Sequence, residues 1–280
     1  MRVGVLGAKG FIGGHLTSAL RARGDDVLTA SLRDPQAAAA QLSGCDAIVN
    51  LSGEPISQRW NAAVKHNIVY SRTELPRRFL DAIAAQPVKP AAYISASAVG
   101  YYGTSETETY TEQSPPGTDF LAGVCVQWER EALRAQTLGM RVAIVRTGIA
   151  LGRDGGALAQ MLPPFRLGAG GIVGDGRQWL SWIHIDDVVG IYLRAIDGAS
   201  GIINATAPVP VRNAEFTRAL GHAVHRPTIL PTPTFALRLM FGEAADILLT
   251  GQRVLPDRAL ADGYSFAFTD VEAALANLVA

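Results

Sequence analysis

The chain has 280 residues, with 25 Lys plus Arg against 25 Asp plus Glu, so its formal net charge is zero. Its 48% hydrophobic and 18% charged residues leave ample material for a core, which excludes an intrinsically disordered chain. The lack of a basic excess argues against a dedicated nucleic-acid binder, and two cysteines, Cys45 and Cys125, cannot build a disulfide framework.

Short apolar runs recur along the first half, each followed by a helical pattern. Val3–Leu6, Val27–Ala30, Ala47–Leu51, Ala92–Ser95 and Val142–Val145 read as buried strands. Between them the pattern predicts helices at Phe11–Arg23, Pro35–Gln41, Asn61–Ala84 and Phe120–Gln136. The alternation predicts an α/β fold with a doubly wound parallel sheet of the Rossmann type. After about residue 152 glycine becomes dense and long strands stop. We therefore expect a dinucleotide-binding domain over 1–152 and a smaller, loop-rich substrate lobe over 153–280. The run Ile202–Ala205 is expected to rejoin the sheet. No secretory signal is visible, and the best apolar stretch, Thr234 to Leu249, is broken by Arg238, Glu243 and Asp246. The expectation is a cytoplasmic protein without a membrane segment; a homodimer is left open.

The first strand runs into Gly7-Ala8-Lys9-Gly10-Phe11-Ile12-Gly13. Gly7 permits the tight turn, Gly10 lets backbone approach a pyrophosphate, and Gly13 lets the helix pack closely on the strand. Free N–H groups at the start of the helix, around Phe11 and Ile12, then face the anion. The second strand ends Thr29-Ala30-Ser31-Leu32-Arg33, with no acid at its tip to take ribose hydroxyls. Arg33, with Ser31 beside it and Lys9 in the turn, suits a 2′-phosphate, so NADP is expected over NAD. The alternative for Arg33 is an ordinary solvated charge. Leu51-Ser52-Gly53, after Asn50, falls at the carboxyl edge of the sheet, where ligands of open α/β sheets bind; it reads as backbone approaching an adenosine ribose, with a plain strand-end turn as the alternative.

Together with Ser97…Tyr102-Gly103 and Trp182-Ile183-His184-Ile185-Asp186-Asp187, these stretches resemble the extended short-chain dehydrogenase/reductases, the NAD-dependent epimerase/dehydratase superfamily. More narrowly the chain is similar to the atypical YfcH-like branch, which carries a distinctive C-terminal segment. That likeness includes Gly53-Glu54-Pro55, Ser71-Arg72, Met161–Gly168 and Pro210-Val211-Arg212-Asn213. It implies a Rossmann-type domain and a nicotinamide cofactor. It also implies that Asn67 and Arg72 contact the cofactor, and it places Ser95 on the strand that carries the serine. Without the likeness, Asn67 and Arg72 read as exposed helix polars.

Members of this superfamily usually use a Ser or Thr with a Tyr-x-x-x-Lys pair, the Lys lowering the Tyr pKa. Here Ser97 is the best match to the serine, but the pair is missing. Matching Glu129 to the glutamate after the usual motif puts Leu121 at the Tyr position and Cys125 at the Lys position. No Lys follows Ala91. Tyr101 or Tyr102 is left as a candidate acid, and Cys125 as a wall of the nicotinamide pocket; simple packing is the alternative for each. A phenol without the lysine keeps a pKa near 10, so it serves reduction better than oxidation.

His184-Ile185-Asp186-Asp187 reads as a scaffold with Asp187 as a helix N-cap rather than a metal site, and no metal is expected. Trp179 and Trp182 either wall a cleft or pack the lobe junction. Arg146, Arg166, Arg177 and Arg212 either hold a substrate diphosphate or are surface charges. The resulting expectation is an NADP(H)-binding oxidoreductase or epimerase-type protein acting on a small carbonyl or hydroxyl compound, with a nucleotide-linked sugar as one option. The rival is a non-catalytic NADP-binding redox sensor.

Overall fold

The computed structural model describes residues 1–280. The strands are β1 (Arg2–Leu6), β2 (Asp26–Ala30), β3 (Ala47–Asn50), β4 (Ala92–Ala98), β5 (Thr109–Tyr110), β6 (Arg141–Thr147), β7 (Ile149–Leu151), β8 (Trp179–Leu180), β9 (Trp182–His184), β10 (Gly201–Ala205), β11 (Val211–Arg212) and β12 (Arg253–Val254). The α-helices are α1 (Phe11–Ala22), α2 (Pro35–Gln41), α3 (Ala62–Arg72), α4 (Glu74–Ala84), α5 (Phe120–Leu133), α6 (Gly156–Arg166), α7 (Ile185–Asp197), α8 (Asn213–Ala223), α9 (Thr234–Phe241), α10 (Asp246–Leu249), α11 (Asp257–Ala261) and α12 (Val271–Val279).

Six strands form one parallel sheet in the order β10-β6-β4-β3-β1-β2. Both faces are covered, which is why β1, β3, β4 and β6 read as unbroken apolar runs. On one face, α1 and α7 bury Leu16, Leu20, Val188 and Tyr192 against Val3, Val5 and Ile94. On the other, α2, α4 and α5 bury Ala38, Phe79, Leu80 and Ala132 against Leu6, Ile48 and Tyr93. The strand order reverses between β1 and β3, so the crevice at their carboxyl ends is the topological switch point.

Residues after 152 serve two cores. The run at 202–205 rejoins the sheet as β10, with Ile203 opposite Val145 of β6. Helix α7 packs on the sheet, whereas α6, α8 and α12 close a separate core around Trp182, Phe216 and Leu275. The single helix expected over Asn61–Ala84 is two helices. Pro76 lacks the N–H that would bond the carbonyl of Arg72, so the chain turns at Thr73, whose backbone sits at φ −116 and ψ −65. The helix from Phe120 ends at Leu133 and continues as a 3₁₀ turn through Leu138.

A buried ion pair fastens α5 to the sheet. Arg146 of β6 donates from Nε to Glu129 Oε1 at 2.8 Å and from Nη2 to Oε2 at 2.7 Å. Their side chains are 3% and 7% exposed. Arg146→Met leaves the carboxylate buried without its partner and is expected to lower unfolding free energy by about 3–5 kcal/mol in urea titration. Glu129→Leu combined with Arg146→Met should lose clearly less. A single-variant loss under about 1 kcal/mol would mean that the pair behaves like an exposed one.

Candidate functional site

The glycine turn is built by close approach. Gly7 has φ +82, and a Cβ there would lie 2.8 Å from the carbonyl carbon of Leu51. A Cβ on Gly13 would lie 2.2 Å from the Gly7 carbonyl oxygen, so only glycine lets α1 start this near the strand. Gly10 is the N-cap of α1 and supplies no side-chain bond. The first N–H groups of α1 are therefore left for a ligand anion. The ring of Phe11 packs on Gly152, Gly155 and Gly156, which explains part of the glycine density after residue 152.

Beyond the tip of β2, Ser31, Arg33 and Lys9 are exposed. Ser31 Oγ accepts from the Arg33 N–H at 3.3 Å. Asp34, the nearest acid, is occupied as the N-cap of α2, its Oδ1 accepting from the Ala37 N–H at 3.0 Å. The arrangement fits a 2′-phosphate: exposed cations, and an acid turned to another task.

The turn Leu51-Ser52-Gly53 follows β3. Asn50 is fully buried; its Oδ1 accepts from the Ser52 N–H at 3.1 Å and its Nδ2 donates to Tyr93 at 3.0 Å, which fixes the turn. Gly53 lies against Arg72 of α3, with space for a Cβ only 2.9 Å from the guanidinium carbon. Arg72 reaches in turn into a cavity of about 600 Å³. The cavity lies over the ends of β4 and β6, lined by Ala98, Val99, Thr147 and Gly148. Leu121, Cys125 and Trp128 of α5 form one wall, with Trp60, Phe120 and Trp179 as aromatic neighbours. The C-terminal segment closes the far side with Glu243, Asp246, Ile247 and Thr250–Gln252. A second hollow of about 560 Å³, among α6, α8 and α12, shares no lining residue with it.

The two positions that would hold the Tyr-x-x-x-Lys pair, Leu121 and Cys125, thus both face the cavity. Burial pushes the Cys125 thiol up to about 11 and the Cys45 thiol likewise. Several expected residues lie elsewhere. Ser97 is 3% exposed and donates to Glu129 Oε1 at 2.6 Å, while its neighbour Ala98 lines the cavity. Strand alternation is the reason, since successive side chains take opposite faces. Ser95 is fully buried and donates to the Ala96 carbonyl. Tyr102 donates to Asn204 Oδ1 at 2.7 Å and accepts from Arg146 Nη1 at 2.9 Å; burial pushes its phenol up to about 12 despite the guanidinium. Tyr101 is half-buried, its ring 3.3 Å from the Arg146 guanidinium carbon, and is not part of the cavity wall. Asn67 is exposed on α3, because Ile68 and Arg72, four residues apart, hold the inward face.

The N-cap of α7 is His184, not Asp187: its Nδ1 accepts from the Asp186 N–H at 3.1 Å. Asp187, one helical turn in, is 1% exposed and accepts from the N–H groups of Ala267 and Phe268. The two tryptophans separate cleanly. Trp179 lines the cavity under a stacked Arg212 at 3.7 Å, and Trp182 is core, bonded to the Val209 carbonyl. Of the four arginines, Arg146 is the buried partner of Glu129, Arg177 pairs with Glu106, and Arg166 ends α6 in solvent. Sequence reading missed Trp60, Phe120 and Trp128. The one signal for Trp128 was its place one turn beyond Cys125.

A doubly wound sheet with a glycine turn at its switch point, an uncapped helix start and an adjoining cavity defines a dinucleotide-binding α/β protein. Residues 3–205 match the NAD dependent epimerase/dehydratase family, and residues 232–278 match a domain of unknown function, DUF1731. The chain belongs to the NAD dependent epimerase/dehydratase family. It is 43% identical to the epimerase family protein SDR39U1 of Bos taurus, with 100% of both chains covered. It is 45% identical to the Arabidopsis thaliana SDR39U1 homolog, named as chloroplastic, over 98% of this chain and 86% of that one. The crystal structure of human SDR39U1 (isoform 2) with NADPH superposes with a TM-score of 0.92 at 38% identity, covering 100% of this chain and 99% of that one. No helix of the chain is long and apolar enough to cross a membrane.

The two buried thiols set a pH-dependent test. With pKa values near 11, both should react with a disulfide reagent more than about a hundredfold slower than a small free thiol at neutral pH, and the rate should climb as pH rises toward 11. Stopped-flow thiol titration checks this; one fast thiol per chain would contradict the burial of Cys45 or Cys125.

Proposed function

We propose that this protein binds NADPH across the carboxyl edge of its sheet and uses it on a small carbonyl compound held in the cavity. The observation that carries the reading is the order of groups along that edge. Arg33 stands past β2, the glycine turn at β1, Leu51–Gly53 at β3, and Ala98 with Cys125 at β4. Four adjacent strands span roughly 14 Å, which suits an extended dinucleotide. The NADPH in the human relative's crystal structure supports the cofactor.

In this reading Ser31, Arg33 and Lys9 take the 2′-phosphate. The backbone of Gly7, Gly10, Phe11, Ile12 and Gly13 takes the diphosphate. Leu51–Gly53 approach the adenosine ribose, and Arg72 and Cys125 bound the nicotinamide half. The bound cofactor supplies a hydride. The chain orients the carbonyl against it with Leu121 and Cys125, and water at the open mouth of the cavity gives the proton that the alkoxide takes up once the hydride has reached the carbonyl carbon. The cavity walls are largely aromatic and apolar, with Trp60, Phe120, Leu121, Trp128 and Trp179, and Arg72 is the one cation among them, which favours a small aromatic or apolar carbonyl over a nucleotide diphosphate. We assign cofactor binding to residues 1–152 with β10, and to the remainder the far wall of the cavity, through Trp179, Ser181 and Glu243 to Gln252.

Ser97 and Tyr102 are sealed in the Glu129–Arg146 network, so no phenol reaches the cavity from the β4 turn. That observation favours a second reading, an NADPH-responsive sensor without turnover. Calorimetric titration should give NADPH about 10–100-fold tighter than NADH, and Arg33→Ala should remove most of that margin, or about 1–3 kcal/mol. Equal affinity for the two cofactors would defeat the cofactor assignment. A panel of aromatic aldehydes and ketones, followed by loss of NADPH absorbance, then separates enzyme from sensor: turnover supports the first, and tight binding with no turnover supports the second.

A further inference from the structure

We propose that the apolar face built by Ile229, Leu230 and helix α9 docks against the same face of a second copy of this chain, about a two-fold axis. The proposal does not depend on what the cavity binds. It gives a role to the start of the segment that matches DUF1731, whose later residues form the far wall of the cavity.

Fourteen large apolar side chains of the protein are exposed, and six of them fall within residues 229–248. The others, among them Met1, Val88, Leu133 and Leu260, are spread along the rest of the chain, which is normal for a folded surface. Helix α9 shows its apolar side chains to solvent. Phe235 and Leu239, one turn apart on one face, are 73% and 74% exposed, and Met240 beside them is 64% exposed. Only Leu237 is buried, and the polar side chains of the helix are Thr234 and Arg238 alone. A surface helix of a monomer turns the opposite way, with its polar side chains outward.

The face is stiff before anything covers it. Pro227, Pro231 and Pro233 restrict the backbone that leads into α9. Thr232 donates its N–H to the Ile172 carbonyl at 2.8 Å and accepts from the Gly174 N–H at 3.1 Å. A Cβ on Gly171 would lie 1.5 Å from the Leu230 carbonyl oxygen, so the two segments are in close contact there. Ile229 and Leu230 are therefore held outward, and docking has little backbone left to order.

Area and charge select a second copy as the occupant. Five large side chains, Ile229, Leu230, Phe235, Leu239 and Met240, are exposed by 61% to 82%, with Pro231 and Pro233 exposed among them. That is on the order of the roughly 800 Å² per partner that a stable dimer buries. The charged side chains of residues 226–248 are Arg226 and Arg238 against Glu243 and Asp246, so the patch is neutral and carries both signs. Arg238 and Asp246 meet at 3.1 Å within one chain. A two-fold copy offers an acid to each arginine, so the patch complements itself. The chain's formal net charge of zero adds no repulsion between copies. An anionic lipid surface would call for a basic polar rim, and the two acids oppose it.

Sedimentation velocity of the full chain between about 1 and 100 μM tests this. Wild type should form a dimer within that range. Phe235→Asp and Leu239→Glu should each weaken it by at least about a hundredfold while keeping the wild-type circular dichroism, since both side chains are exposed. Met240→Cys should give a cross-linked dimer with a short bismaleimide, and Val88→Cys, exposed outside the patch, should not. The buried Cys45 and Cys125 leave the added thiol as the accessible one. A wild type that stays monomeric to about 100 μM overturns the proposal. So does a dimer that survives both charged substitutions, a series of larger species without closure at two, or a monomer that instead sediments with phosphatidylserine vesicles.

Discussion

The pairing of Glu129 with Arg146 is the constraint on which the site depends. Two charges removed from water are tolerable only when they are paired and hydrogen-bonded. Here they are: Arg146 spends Nε and Nη2 on the carboxylate and Nη1 on Tyr102, and the carboxylate also takes the Ser97 hydroxyl. Tyr102 passes the network on to Asn204 of β10. One ion pair thus ties α5, β4, β6, β10 and the turn after β4 into a single rigid corner. The inward face of α5 and the floor at Ala98–Gly100 are placed by it. The polar groups that could have served chemistry are instead the ones that hold the corner.

That exchange explains where the sequence was readable and where it was not. The glycine turn and the uncapped start of α1 were legible because a few neighbouring residues decide them. The absence of an acid at β2 was legible too, and Asp34, the one ambiguity, is resolved by a cap only three residues away. The break at Thr73 follows from Pro76 alone and was available to a stricter reading.

Ser97 shows the opposite case. Its match to a catalytic serine rested on position along the strand alone, and in a strand a shift of one residue moves a side chain to the other face. Only the partner across the sheet layer, Glu129, decides which of Ser97 and Ala98 meets the cavity. Trp179 and Trp182 were inseparable for the same reason, lying three residues apart with different non-local partners. The far wall at Glu243 to Gln252 reaches the cavity from more than a hundred residues beyond α5, and no local pattern announces it.

Net charge zero gives the whole molecule little pull on an anion. Positive potential must then come from local features, and these sit at intervals along one edge: exposed Arg33 and Lys9, the positive end of α1, and Arg72. Strand order sets the interval, because β2, β1, β3 and β4 are successive neighbours. A chain with the same residues in another strand order would present the same charges without the line.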